Sequence, residues 1–192
     1  LGPVQLGYYS LTSFGGNSLY GLLAQAGSAM GPHIIEDMGR SNNSPEALEK
    51  YLVGPTILFS GLITIMIMGL IFVMPLLVQW VVPKYLPGLV AFYLFVPGFF
   101  FLSIILTANG ILYIYLITRR TQRIAVYIQF ATISIEVLAG ILFIRLGWGI
   151  AGVALASTLA YAFYGLMILN LAAKYVLPDM QIRRFFIFRV MF

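Results

Sequence analysis

Glu136 is the only acidic residue between Glu49 and Asp179, and it lies 13 residues after Arg123 and 9 before Arg145. On a helix this puts its carboxyl near the middle of a membrane. There an ionised carboxylate is costly unless it meets a partner, faces water or takes up a proton. Gln122, Gln129, Thr132 and Glu136 share one helical face, which Gly140 continues. Such a face suits protonation or cation coupling in a transporter. A neutral Glu136 hydrogen-bonded to Gln129, Thr132 or a neighbouring helix accounts for the same pattern.

Other polar groups carry similar double readings. Arg119, Arg120 and Arg123 form a cluster whose planar guanidinium groups suit a phosphate head group, and which equally serves as a topology signal. His33, after Gly31-Pro32, can titrate near neutral pH, contact a head-group phosphate, or cap a helix at the interface. Ser157, Tyr161 and Tyr164 make a polar stripe in which tyrosines could stack on sugar rings or bond across helices. Ser103 and Thr107, with Gly110, make a milder one. In the first apolar segment Ser10, Asn17, Gly21, Ala24 and Ser28 fall near one face. Asn17, Gln25 and Ser28 are that segment's candidates for lining a cavity, and helix–helix contact is the plainer account.

Much other chemistry is excluded. The chain has no cysteine and one histidine, so disulfides, thiolate catalysis, Cys-ligated metals and His-rich zinc sites are ruled out. There is no Gly-rich phosphate loop and no nucleophile motif. We therefore assign no catalytic residue, no metal ligand and no cofactor, and the sequence does not favour an enzyme. An integral membrane glycosyl- or acyltransferase would have to draw on His33, Glu36 and Asp37.

The elements that must position these groups follow from composition. Of 192 residues, 61% are hydrophobic, 15% aromatic and 9% charged. A soluble domain has about 25% charged residues. That much apolar surface cannot be hidden inside one soluble core of this size, so lipid must be the solvent. The net charge of +5 sits between long apolar runs, a pattern of membrane topology and not of nucleic-acid binding.

A spanning helix needs about 20 mostly apolar residues. The spacing predicts an all-α polytopic bundle over 1–175 with five spans, at 7–35, 52–82, 86–118, 122–146 and 148–174. Residues 36–50, with Asn42, Asn43, Ser44 and Pro45, read as a polar loop. Residues 176–192 read as a basic-aromatic tail at the membrane interface. Pro75 and Pro97-Gly98 mark kinks, and Gly152, Ala156 and Ala160 form a small-residue stripe for close helix contact. Nine Lys and Arg fall in the first loop, third loop and tail, against Lys84 and Arg145 on the other side. The positive-inside rule makes the nine-residue side, and the tail, cytoplasmic. Because the sequence starts at Leu1 on the outer side, an N-terminal part with an odd number of spans is expected to precede it.

The order of features resembles the polysaccharide flippases of the multidrug/oligosaccharidyl-lipid/polysaccharide exporter superfamily. The opening LGYYSLTSFGGNSLYGLL and the following MGPHI look like the start of their second lobe. VVPKYLPGLVAFYLFVPGFF and TANGILYIYLITRRTQR are similar to their ninth and tenth spans, and GWGIAGVALASTLAYAFYG to the start of their twelfth. The resemblance implies half of a two-lobe transporter fold, spans eight to twelve, in a bacterial-type inner membrane. It implies alternating access that moves undecaprenyl-pyrophosphate-linked oligosaccharide, with the N-terminal lobe of the same protein as partner beside the bilayer. The cationic cavity of several relatives has no counterpart in the expected spans. An ion-coupled multidrug or toxin exporter of the same superfamily is the rival reading.

Overall fold

A computed structural model describes residues 2–41, 46–118, 123–177 and 179–191, excluding the side chains of much of α1, of 46–48, 103, 107, 109–118 and 191. The chain is all-α: α1 (Pro3–Arg40), α2 (Glu46–Val81), a 3-10 turn (Pro83–Gly88), α3 (Leu89–Thr118), α4 (Arg123–Arg145), α5 (Gly149–Val176) and α6 (Met180–Met191). Among the described residues, four segments are long and apolar enough to cross a membrane: Glu49–Val81, Pro83–Leu106, Arg123–Arg145 and Gly149–Val176. The helix α1 covers the first expected span. Large apolar side chains point outward, with Phe72 74% and Trp80 84% exposed. In water such a surface would drive aggregation; in lipid it is the expected exterior.

Two expectations need correction. Residues 36–50 are not all loop, because α1 continues to Arg40 and α2 begins at Glu46. Glu36 and Arg40 pair at 2.6 Å one turn apart, in the order that favours a helix. The break is confined to 41–45, of which 42–45 lie outside the described residues. Second, the tail does more than rest on the interface. It forms α6, and Phe186 and Val190, four residues apart, are buried in a cluster with Leu52, Ile168 and Leu177.

The helices alternate in direction. At one end Tyr8 of α1 meets Tyr85 of the 3-10 turn edge-on at 5.8 Å. Gly88 lets the two elements close up there, since a Cβ on it would lie 3.0 Å from Tyr8 Cβ. At the other end Lys50 forms an ion pair with Asp37, whose Oδ2 also accepts a hydrogen bond from the Tyr51 hydroxyl at 2.7 Å. Lys50, and after it Tyr51, holds the Asp37 carboxyl below the usual carboxylate range. The alternation gathers Lys84 and Arg145 at one end and Arg40, Lys50, Arg123 and Lys174 at the other.

The helix α5 is the spine, packed against both α3 and α4. Its small residues make this possible: Gly152, Ala156 and Ala160 are buried, as are Ala154, Ser157, Thr158 and Gly165. A Cβ on Gly165 would sit 3.3 Å from the Phe101 carbonyl oxygen of α3. A sharp reversal at 146–148 joins α4 to α5, with Gly147 (φ 84°) and Gly149 (φ 54°) in the left-handed region that favours glycine. Phe143 and Trp148 stack at 5.2 Å across it.

Gly152 is the tightest point, since a Cβ there would fall 2.6 Å from Phe143 Cβ. Gly152→Ala should therefore destabilise the fold by about 1–3 kcal/mol through overpacking. Gly69→Ala, whose Cβ would meet nothing within 4 Å, should be neutral or stabilising. Thermal unfolding of both variants in detergent checks this, and equal midpoints would contradict the packing.

Candidate functional site

The candidate site forms where three helices bring hydroxyls and a carboxyl together. Ser157 Oγ of α5 donates to Glu136 Oε1 of α4 at 2.8 Å. Tyr9 Oη of α1 lies 3.4 Å from the same Ser157 oxygen. A serine hydroxyl has one proton. With that proton on Glu136, Tyr9 is the donor in the longer contact, so the polar chain runs Tyr9 to Ser157 to Glu136. Ser157 is buried, whereas Tyr9 and Glu136 are half-buried and approach it from two sides of α5.

Position along the helices explains the pairing. Glu136 lies 9 residues before Arg145, and Ser157 lies 8 after Gly149. Two antiparallel helices leaving a tight turn bring such positions level, about 12–14 Å from the turn at 1.5 Å per residue. The small face of α5 then lets α4 approach; Gly140 comes within 3.9 Å of Ala156 by its Cβ position. On its other sides α4 presents Phe130, Val137 and Leu138 outward. Its one described inter-helix hydrogen bond is therefore also the bond that accommodates its carboxyl.

Neither intrahelical partner considered for Glu136 serves it. Thr132 Oγ1 donates to the Ile128 carbonyl of its own helix at 2.8 Å, and Gln129 is exposed. The neighbouring-helix alternative describes the geometry. Tyr161 packs edge-on against Phe95 at 5.7 Å and against the Gly98 position of α3. Next to it, Thr158 Oγ1 donates to the Leu94 carbonyl at 2.7 Å. Leu94 follows Tyr93, the residue whose carbonyl Pro97 cannot bond because proline lacks an N–H. Thr158 thus supplies polar support at the turn that the proline weakens, a role the sequence analysis missed.

The remaining candidates are more dispersed. Gln25 and His33 are exposed on α1, and Arg123 is exposed at the start of α4. The side chains of Asn17, Ser28, Ser103 and Thr107, and all of Arg119, Arg120 and Gln122, lie outside the described residues. Glu36 and Asp37 are engaged by Arg40 and by Lys50 with Tyr51. No group of three or more potential metal-ligating His, Cys, Asp or Glu occurs among the described residues. Comparison with known protein families, characterised proteins and solved structures finds no match.

The pairing predicts energetic coupling. In a double-mutant cycle of Ser157→Ala and Glu136→Leu, which leaves no acceptor at 136, the two changes should be non-additive by about 0.6–1.7 kcal/mol, the range for interhelical hydrogen bonds in membranes. Additivity within about 0.3 kcal/mol would show that the two groups do not interact.

Proposed function

We propose that this chain forms one lobe of a multi-pass transporter in the cell inner membrane, moving lipid-linked oligosaccharide across it by alternating access. On this reading the substrate is an undecaprenyl-pyrophosphate-linked oligosaccharide. The partner is a second lobe of the same protein, and the positively charged end with α6 faces the cytoplasm. The resemblance of the apolar segments to polysaccharide flippases supplies the substrate class.

The observation that carries the transport reading is the intramembrane carboxyl of Glu136, held from a second helix by Ser157. An ionisable group at that depth marks a functional site by default. Here its partner sits on the spine helix, so a shift of α4 along α5 exchanges the Ser157 hydrogen bond for water or for a substrate hydroxyl. The helix α3, with Pro97 inside it and Thr158 bracing Leu94, supplies a second place for bending between packed helices. The engaged carboxylates of Glu36 and Asp37 count against a transferase centred on His33.

Glu136 also favours the second reading, an exporter coupled to protons or sodium, and one experiment addresses both. In reconstituted protein, Glu136→Gln should lower translocation of a lipid-linked oligosaccharide by roughly tenfold, the equivalent of about 1.4 kcal/mol. Its abundance and helix content should be unchanged. A loss confined to efflux of a lipophilic cation driven by an ion gradient would favour the exporter. Full activity on both substrates across a range of pH would leave Glu136 a structural residue and overturn the transport mechanism.

A further inference from the structure

A groove of about 660 Å³ opens sideways between α2 and α3, remote from the Glu136 site. Its α2 wall runs from Ile57 to Ile71, 14 residues or about 21 Å of helix. Val96, Pro97 and Phe100 form the α3 wall, and Arg189 with Val190 of α6 closes one end. Val190 is buried in the cluster that includes Leu52, with Ile57 packed against it, so Arg189 belongs to the Ile57 end. The far end, at Ile67, Met68 and Ile71, is apolar.

The polar atoms on the walls are already partly used. Ser60 Oγ donates to the Ile57 carbonyl at 3.0 Å, and Thr64 Oγ1 to the Ser60 carbonyl at 2.7 Å. Arg189 is therefore the donor that the groove offers to an anion. It has no acidic partner among the described residues, and α6 carries Arg183, Arg184 and Arg189 without a carboxylate. Arg189 is itself exposed, so an anion can reach its guanidinium from outside the bundle.

We propose that this groove holds one anionic phospholipid of the surrounding bilayer, its acyl chain along α2 and α3 and its phosphate on Arg189. The amphipathic division of the walls matches an amphipathic lipid, and the sideways opening lets it enter from the bilayer. The uncompensated charge selects an anionic over a zwitterionic head group. The inference does not depend on the transported substrate. It gives α6 a purpose that a merely interfacial tail lacks, because a bound lipid would join α6 to α2 and α3.

Native mass spectrometry of the full chain in detergent tests it, with phosphatidylglycerol, phosphatidylethanolamine of the same chains, and a polyprenyl phosphate as probes. Wild-type protein should retain one phosphatidylglycerol at least fivefold more tightly than phosphatidylethanolamine. Arg189→Gln should abolish that preference, whereas Arg184→Gln, which does not line the groove, should keep it. Gly61→Leu gives an independent arm. Gly61 lines the groove and a Cβ there meets nothing within 4 Å, so a side chain can be added on that wall, and both phospholipids should be lost. Equal retention of the two phospholipids, or an unchanged preference in Arg189→Gln, would overturn the proposal. Stronger retention of the polyprenyl phosphate would assign the groove to a carrier lipid and overturn the phospholipid assignment.

Discussion

Close approach of backbones to α5 is the constraint on which this bundle rests. Lipid tails are as apolar as the helix surfaces, so the hydrophobic effect that assembles soluble cores gives little reason for these helices to meet. Dispersion between well-fitted surfaces must do it, and that falls quickly as gaps open. The α5 helix meets the demand with a run of Gly, Ala, Ser and Thr on its buried faces. Gly165 takes the Phe101 backbone, Gly98 of α3 takes Thr158 and Tyr161, and Gly152 takes Phe143. Many large side chains face the lipid instead, where Phe72, Trp80 and Phe130 have no packing to satisfy.

The same smallness produces the polar chemistry. Ser157 is small enough for the α5 face and still has a hydroxyl to give to Glu136. Packing and protonatable group are thereby coupled in one residue. The helix α4 contributes no buried residue of its own and rests mainly on α5. Of the four segments long and apolar enough to cross a membrane, it has the least packing to lose when it shifts, which suits the element that carries the carboxyl in the proposed transport cycle. By contrast α3 is held on both α2 and α5 and contains the aromatic cluster of Phe92, Phe95 and Phe99. A rigid centre with a loosely held edge is the arrangement that lets a bundle bend without unfolding.

The helical character and the packing of α5 were legible because their signals are local. Uncharged runs of sufficient length, a Gly-Ala stripe and Pro97-Gly98 all act through the residues that display them. The partner of Glu136 was legible only as one of several alternatives. Helical periodicity pointed to Thr132, one turn away, but a threonine in a helix readily bonds its own backbone, and Thr132 does so with Ile128. Counting outward from the turn at 146–148 places Ser157 level with Glu136, a signal present in the sequence. The docking of α6 was hidden by three arginines among scattered aromatics. Its clue was the four-residue spacing of Phe186 and Val190, too short a pattern to separate a packed helix from an interfacial one. The position of Arg189 depends on tertiary folding and had no local signal.

The central claim is that α4 lies in lipid along most of its surface and turns one polar position, Glu136, onto α5. Because the chain has no cysteine, single cysteines along α4 can carry nitroxide labels in reconstituted bilayers without background. The most direct measurement compares, position by position, access of a lipid-soluble relaxant such as oxygen with that of a water-soluble one. The account predicts high oxygen access at positions 130, 137, 138 and 141, with protection at 140 and water access at 136 exceeding that of its outward neighbours. Water-soluble access at 130 and 138, or a position 136 as lipid-exposed as 137, would contradict it.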